Sequence, residues 1–90
     1  MNKKIGKPKG KTWGVLKVLL KGHWETTMDL IHQANVTRPP NYISELKNKW
    51  DVPIKTRMVY VTNPNGDHVS YARYRMPPSL LQEQRKRFGL

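Results

Sequence analysis

In the stretch "PPNYISELKNKW", Asn41, Ser44, Glu45 and Asn48 recur at helical spacing. At roughly 100° per residue they fall on one side of a helix, with Tyr42, Lys47 and Lys49 at its margins. Amides and a hydroxyl on one outward edge suit hydrogen bonding to base edges: asparagine matches adenine, and a glutamate accepts from the cytosine amino group. The plain alternative is an ordinary polar surface. A second set alternates along "IKTRM" and "YARYRM": Lys55, Arg57, Arg73 and Arg75. Cations on a ribbon neutralise phosphates and carry no sequence information. Arg38, just ahead of the helix, and Tyr42 join Lys47 and Lys49 as candidate phosphate contacts.

Little else in the chain could do chemistry. The carboxylates are scattered, so no acid–base pair is evident. His23, His32 and His68 lack ligand spacing, and there is no cysteine to complete a metal set. "GKPKGK" lacks the strand and helix that a phosphate loop needs. The expectation is a protein that is not an enzyme and uses neither metal nor cofactor.

Charge narrows the partner. Seventeen Lys and Arg against six Asp and Glu give a net charge of +11 and a pI near 10.3. Such an excess calls for a polyanion, nucleic acid or acidic membrane. About half of it sits in residues 1–11, where Lys3, Lys4, Lys7, Lys9 and Lys11 meet no acid. This segment reads as a flexible basic arm lying in or along a minor groove, or as a simple solubilising extension. The longest apolar stretch, Trp13 to Leu20, is broken by Lys17 and falls far short of the ~20 residues that span a bilayer. A membrane-surface helix would need cations opposite its apolar stripe along its whole length; here there are only Lys17 and Lys21. No secretory cleavage pattern follows the basic start, and the lack of cysteine fits a reducing compartment. The expected location is the cytoplasm, with no membrane partner.

Several elements must position these groups. The spacing of Val15, Leu16, Leu19 and Leu20 predicts a helix opened by Thr12 and ended by Gly22. Thr26 and Asp29 approximate a capping box for a second helix with Met28, Ile31 and Ala34 as its apolar stripe; Asn35 stops it. A residue before proline avoids helical geometry, so the third helix is expected from Pro40, running to Trp50 over Ile43 and Leu46. Two alternating runs around "NPNGD" predict a hairpin. Ile54, Thr56, Met58 and Tyr60 take one face, and Lys55, Arg57 and Val59 the other. A last short helix follows from Ser79. The expected organisation is an arm over 1–11, a domain over 12–76 and a basic C-terminal helix or tail over 77–90.

Three helices followed by a hairpin is the order of an α+β winged helix-turn-helix, with Val36 plugging the corner between the second and third helices. The stretch from residue 24 to 76 also resembles a family of small phage-type helix-turn-helix proteins. The matching pieces are Thr27 with Asp29-Leu30, Ile43 to Leu46 with Lys47, Val52 with Ile54 and Thr56, Asn65-Gly66, and Tyr74-Arg75-Met76. Arg38-Pro39-Pro40 departs from that family's unbroken run into the recognition helix. The resemblance implies a DNA-binding protein of phage or mobile-element type, without a particular task; the expectation is a double-stranded DNA-binding regulator of transcription or recombination in the host cytoplasm. The third helix would then lie in the major groove, with the charged side of the ribbon beside it on the duplex. Leu80, Leu81 and Phe88 would form a homodimer surface within residues 79–88. The rivals are RNA binding, through the lysine arm with Tyr42 and Tyr71, and a winged helix that engages a host or defence protein.

Overall fold

The computed structural model describes residues 6–90. Its elements are α1 (Gly10–Leu19), β1 (Glu25–Thr26), α2 (Thr27–Ala34), α3 (Pro39–Asn48), β2 (Lys55–Thr62), β3 (His68–Arg75) and α4 (Pro78–Arg87). Among the described residues the chain is therefore α+β: four helices and one antiparallel sheet in the order β1-β3-β2.

The helix signals act locally, with shifts. Both arms of the capping box form: the Thr26 hydroxyl accepts from the Asp29 amide at 3.0 Å, and the Asp29 carboxylate accepts from the Thr26 amide at 2.9 Å. Asn35 ends α2 in the left-handed region, at φ 54°. Thr12 does not open α1, which starts two residues earlier at Gly10. α3 starts at Pro39, with both prolines in its first turn, and stops at Asn48 rather than Trp50. Asp51, at φ 53°, turns the chain back there, and the Val52 amide donates to the Leu46 carbonyl at 3.0 Å.

Val15, Leu16, Leu19 and Leu20 of the first helical segment meet Leu30, Val36, Ile43 and Leu46 in one core. The expected stripe on α2 is corrected in phase. Leu30 is the buried residue, Ile31 and Ala34 are half-buried, and Met28 is 58% exposed. The cause is β1: it pins the start of α2 to β3 and sets the rotation of the helix.

The hairpin keeps its expected alternation. Thr56 lies opposite Tyr74 and Met58 opposite Ala72 on one face; Lys55 lies opposite Arg75 and Arg57 opposite Arg73 on the other. Its loop is closed by the Gly66 amide donating to the Asn63 carbonyl at 2.9 Å, and Gly66 takes the positive φ of 92° that the return needs. Ile54, Tyr74 and Met76 anchor the base in the core, while the rest projects. The molecule measures 49 × 27 × 25 Å, and its radius of gyration of 14.1 Å exceeds the ~12 Å of a compact chain this long, so the ribbon stands clear of the core.

α4 is the expected C-terminal helix and is part of the fold; of the residues expected at a dimer surface, Leu80 and Leu81 are half-buried. Phe88 is fully buried in its own chain, against Trp13 with ring centroids 6.2 Å apart. Its arginines serve the ends of other elements. Arg85 donates to the Leu20 carbonyl at 2.6 Å, and Arg87 to the carbonyls of Trp50 and Asp51. Cations suit helix C-termini because unpaired carbonyls concentrate negative charge there. Of the expected 1–11 arm, residues 10 and 11 belong to α1. Pro8 is buried and the Lys7 ammonium lies 5.3 Å from the Trp13 ring centroid; Lys3 and Lys4 lie outside the described residues. Among the described residues no helix is long and apolar enough to cross a membrane.

Candidate functional site

Proline at N1 and N2 costs α3 nothing there and pre-sets its direction out of the turn at Asn35–Arg38. Ile43 and Leu46 hold its inner side in the core, which leaves Asn41, Ser44 and Asn48 exposed on the outer side. Asn48 donates to the Ser44 hydroxyl at 3.1 Å, so these two polar groups are already aligned one turn apart. Arg38, Lys47 and Lys49 are exposed around this edge, and Tyr42 is half-buried beside it.

Glu45 behaves differently from its three polar neighbours. Its Oε2 accepts from the Thr12 hydroxyl at 2.6 Å, and its Oε1 lies 3.9 Å from the Lys49 ammonium. The carboxylate thus ties α3 to α1, and its charge is partnered by Lys49. This contact also accounts for Thr12, whose side chain is nearly buried. Nothing in local spacing links residues 12 and 45.

The structure gathers Lys55, Arg57, Arg73 and Arg75 on one sheet face, as the alternation requires. It does not place that face beside α3. Lys47 donates to the Thr56 hydroxyl at 3.2 Å, and Thr56 belongs to the opposite face, with Tyr74. The expectation that helix and cations share one flank is therefore corrected: α3 packs on α1 and α2 and reaches the sheet at Thr56, on the face opposite the four cations. On that back face Trp24 lies under Arg73 and Arg75, whose guanidinium carbons are 5.3 and 5.6 Å from the ring centroid. β1 brings Trp24 there by pairing Thr26 with Arg73, a contact that two residues of strand could not announce.

Behind β1, Glu25 is only 5% exposed and accepts from Gln33 at 2.9 Å; Gln33 in turn accepts from Lys21 at 3.2 Å. Burial, reinforced by the nearby Asp29 carboxylate, pushes the Glu25 carboxyl above its usual range. Among the described residues no group of three His, Asp or Glu side chains is arranged to hold a metal ion.

What remains chemically is two cationic surfaces on opposite sides of a small scaffold, one studded with amides and a hydroxyl and one with aromatic and aliphatic groups. No family model matches the chain, and none of the curated proteins compared with it is a match.

Proposed function

We propose that this protein is a winged helix-turn-helix that binds double-stranded DNA, laying α3 in the major groove. One observation carries the reading: Asn41, Ser44 and Asn48 form an exposed row on α3, while the helix's only carboxylate is engaged by Thr12 and Lys49. An outward edge of donors and acceptors whose one negative charge is already partnered suits base edges framed by phosphates. Arg38, Lys47 and Lys49 neutralise phosphates on either side of the helix. The order of three helices and a projecting hairpin supports the winged arrangement, with the ribbon tip around Asn63–His68 extending beside the duplex.

A single module this small buries only ~600–1,000 Å² of its own surface on DNA, so strong sequence preference calls for two copies on one site. They would meet elsewhere than through Phe88, which its own chain buries. A role in regulating transcription or recombination is the form of this reading we favour.

The test is selection of bound duplexes from a random pool, followed by salt titration of the selected site. The expected log–log slope is about −0.9 per phosphate contact, and Lys47→Ala with Lys49→Ala should make it shallower by about two contacts' worth. Asn41→Ala with Asn48→Ala should abolish preference for the selected site and spare non-specific binding. A flat enrichment, or an affinity nearly independent of salt, would refute the reading.

A further inference from the structure

We infer that the back of the ribbon is a second, separate binding surface, built to take an acidic, extended protein segment. Four observations carry it. The cations stand in two directly opposed cross-strand pairs, Lys55 with Arg75 and Arg57 with Arg73. Like charges facing each other across strands destabilise a sheet, and the β2 and β3 residues of that face include no carboxylate to relieve them. The Arg75 Nε is buried without a hydrogen-bond partner, so the cluster is short of acceptors. Beyond the cations the same face turns apolar: Val61, Val69 and Tyr71 are exposed, and a shallow hollow of 330 Å³ lies between Tyr71, Met28 and the Thr26–Thr27 backbone region.

Charge complementarity and this polar-to-apolar order select the occupant. A second copy would bring the same +11 charge and the same cations. A nucleic-acid strand would find the Trp24 ring already covered by two guanidiniums, and its phosphates gain nothing from valines. A polypeptide with carboxylates on one side and an apolar residue beyond them satisfies both halves. The spacing agrees: Tyr71 lies two residues along β3 from Arg73, about 7 Å, which is the i to i+2 repeat of an extended chain. Beyond the short β1, the outer edge of β3 also lacks a paired strand among the described residues, so such a segment can add to the sheet.

The surface is independent of the DNA reading, and its test needs no DNA. The probe is a labelled short peptide with glutamates at alternate positions followed by a leucine two residues on, against full-length protein in fluorescence anisotropy. Binding is expected to weaken at least tenfold when the glutamates become glutamines, and likewise in Lys55→Glu with Arg57→Glu. The milder Lys55→Gln with Arg57→Gln guards against a folding defect. Met28→Ser should weaken it severalfold, and saturating duplex should leave the peptide bound. No binding below ~1 mM would overturn the inference. So would equal loss in Lys47→Ala with Lys49→Ala, displacement of the peptide by duplex, or tighter binding of a single-stranded oligonucleotide that responds to the same variants.

Discussion

Replacing Phe88 by alanine asks whether α4 belongs to the core. The ring is completely removed from water, tilted 54° against Trp13, with the Arg87 guanidinium 4.6 Å from its centroid. Truncation of a buried phenylalanine costs ~3–5 kcal/mol through lost transfer energy and a residual cavity. The Trp13 pairing adds ~0.5–1.5 kcal/mol, part of which is already inside that range. Loosening α4 would also uncouple Arg85 from Leu20 and Arg87 from Trp50. A loss of about 4 kcal/mol is thus expected, a large share of the ~5–13 kcal/mol that holds a domain of this length together. With a urea m-value of ~1–1.5 kcal/mol/M, the midpoint should fall by about 3 M. Far-UV circular dichroism is the right observable, because Trp13 fluorescence would respond to the missing ring itself. Leu80→Ala, at a half-buried site on the same helix, should cost clearly less. If Phe88→Ala shifts the midpoint by less than about 0.7 M, under ~1 kcal/mol, the residues after Arg75 are a detachable tail and the core has been drawn too large.

Two further expectations concern buried polar groups. The Glu25 carboxyl is raised in the folded state, first by burial and then by Asp29. A raised carboxyl contributes stability that is complete below the unfolded-state value and is lost as pH rises through the folded value. Thermal unfolding followed from acid to neutral pH should therefore show Glu25→Gln gaining on the parent across that window; parallel curves would contradict the assignment. Thr12→Val removes the donor that holds Glu45, at a cost of ~1–3 kcal/mol in urea denaturation. It should also weaken duplex binding severalfold by releasing a carboxylate near the exposed amides, and unchanged binding would mean that Glu45 stays away from the DNA without Thr12.

What could be read from the residues in advance was what local chemistry decides. Thr26, Asp29 and Asn35 act within one helical turn of where they stand, and the two-residue repeat alone settles which hairpin residues share a face. Thr12 carried a cap-like signature, yet its hydroxyl was recruited by Glu45 from far along the chain. Met28 and Leu30 are both apolar but face opposite sides of α2, so only the anchoring of β1 decides which one the core takes. The leucines and phenylalanine of α4 announce an apolar side, but not whose surface it covers. The side of the sheet on which α3 lies depends on packing over the base of the hairpin, and alternation along a strand is silent about it.

The two prolines that open α3 reach beyond their effect on its starting point. Neither Pro39 nor Pro40 has an amide hydrogen, and the Asn41 amide already donates to the Arg38 carbonyl at 3.1 Å. The cradle of free amides with which a helix start ordinarily captures an anion is closed here. If α3 meets a duplex as proposed, the phosphates would be gripped by long, pliant guanidinium and ammonium arms rather than by the helix start, and sequence choice would fall to the short amide row downstream.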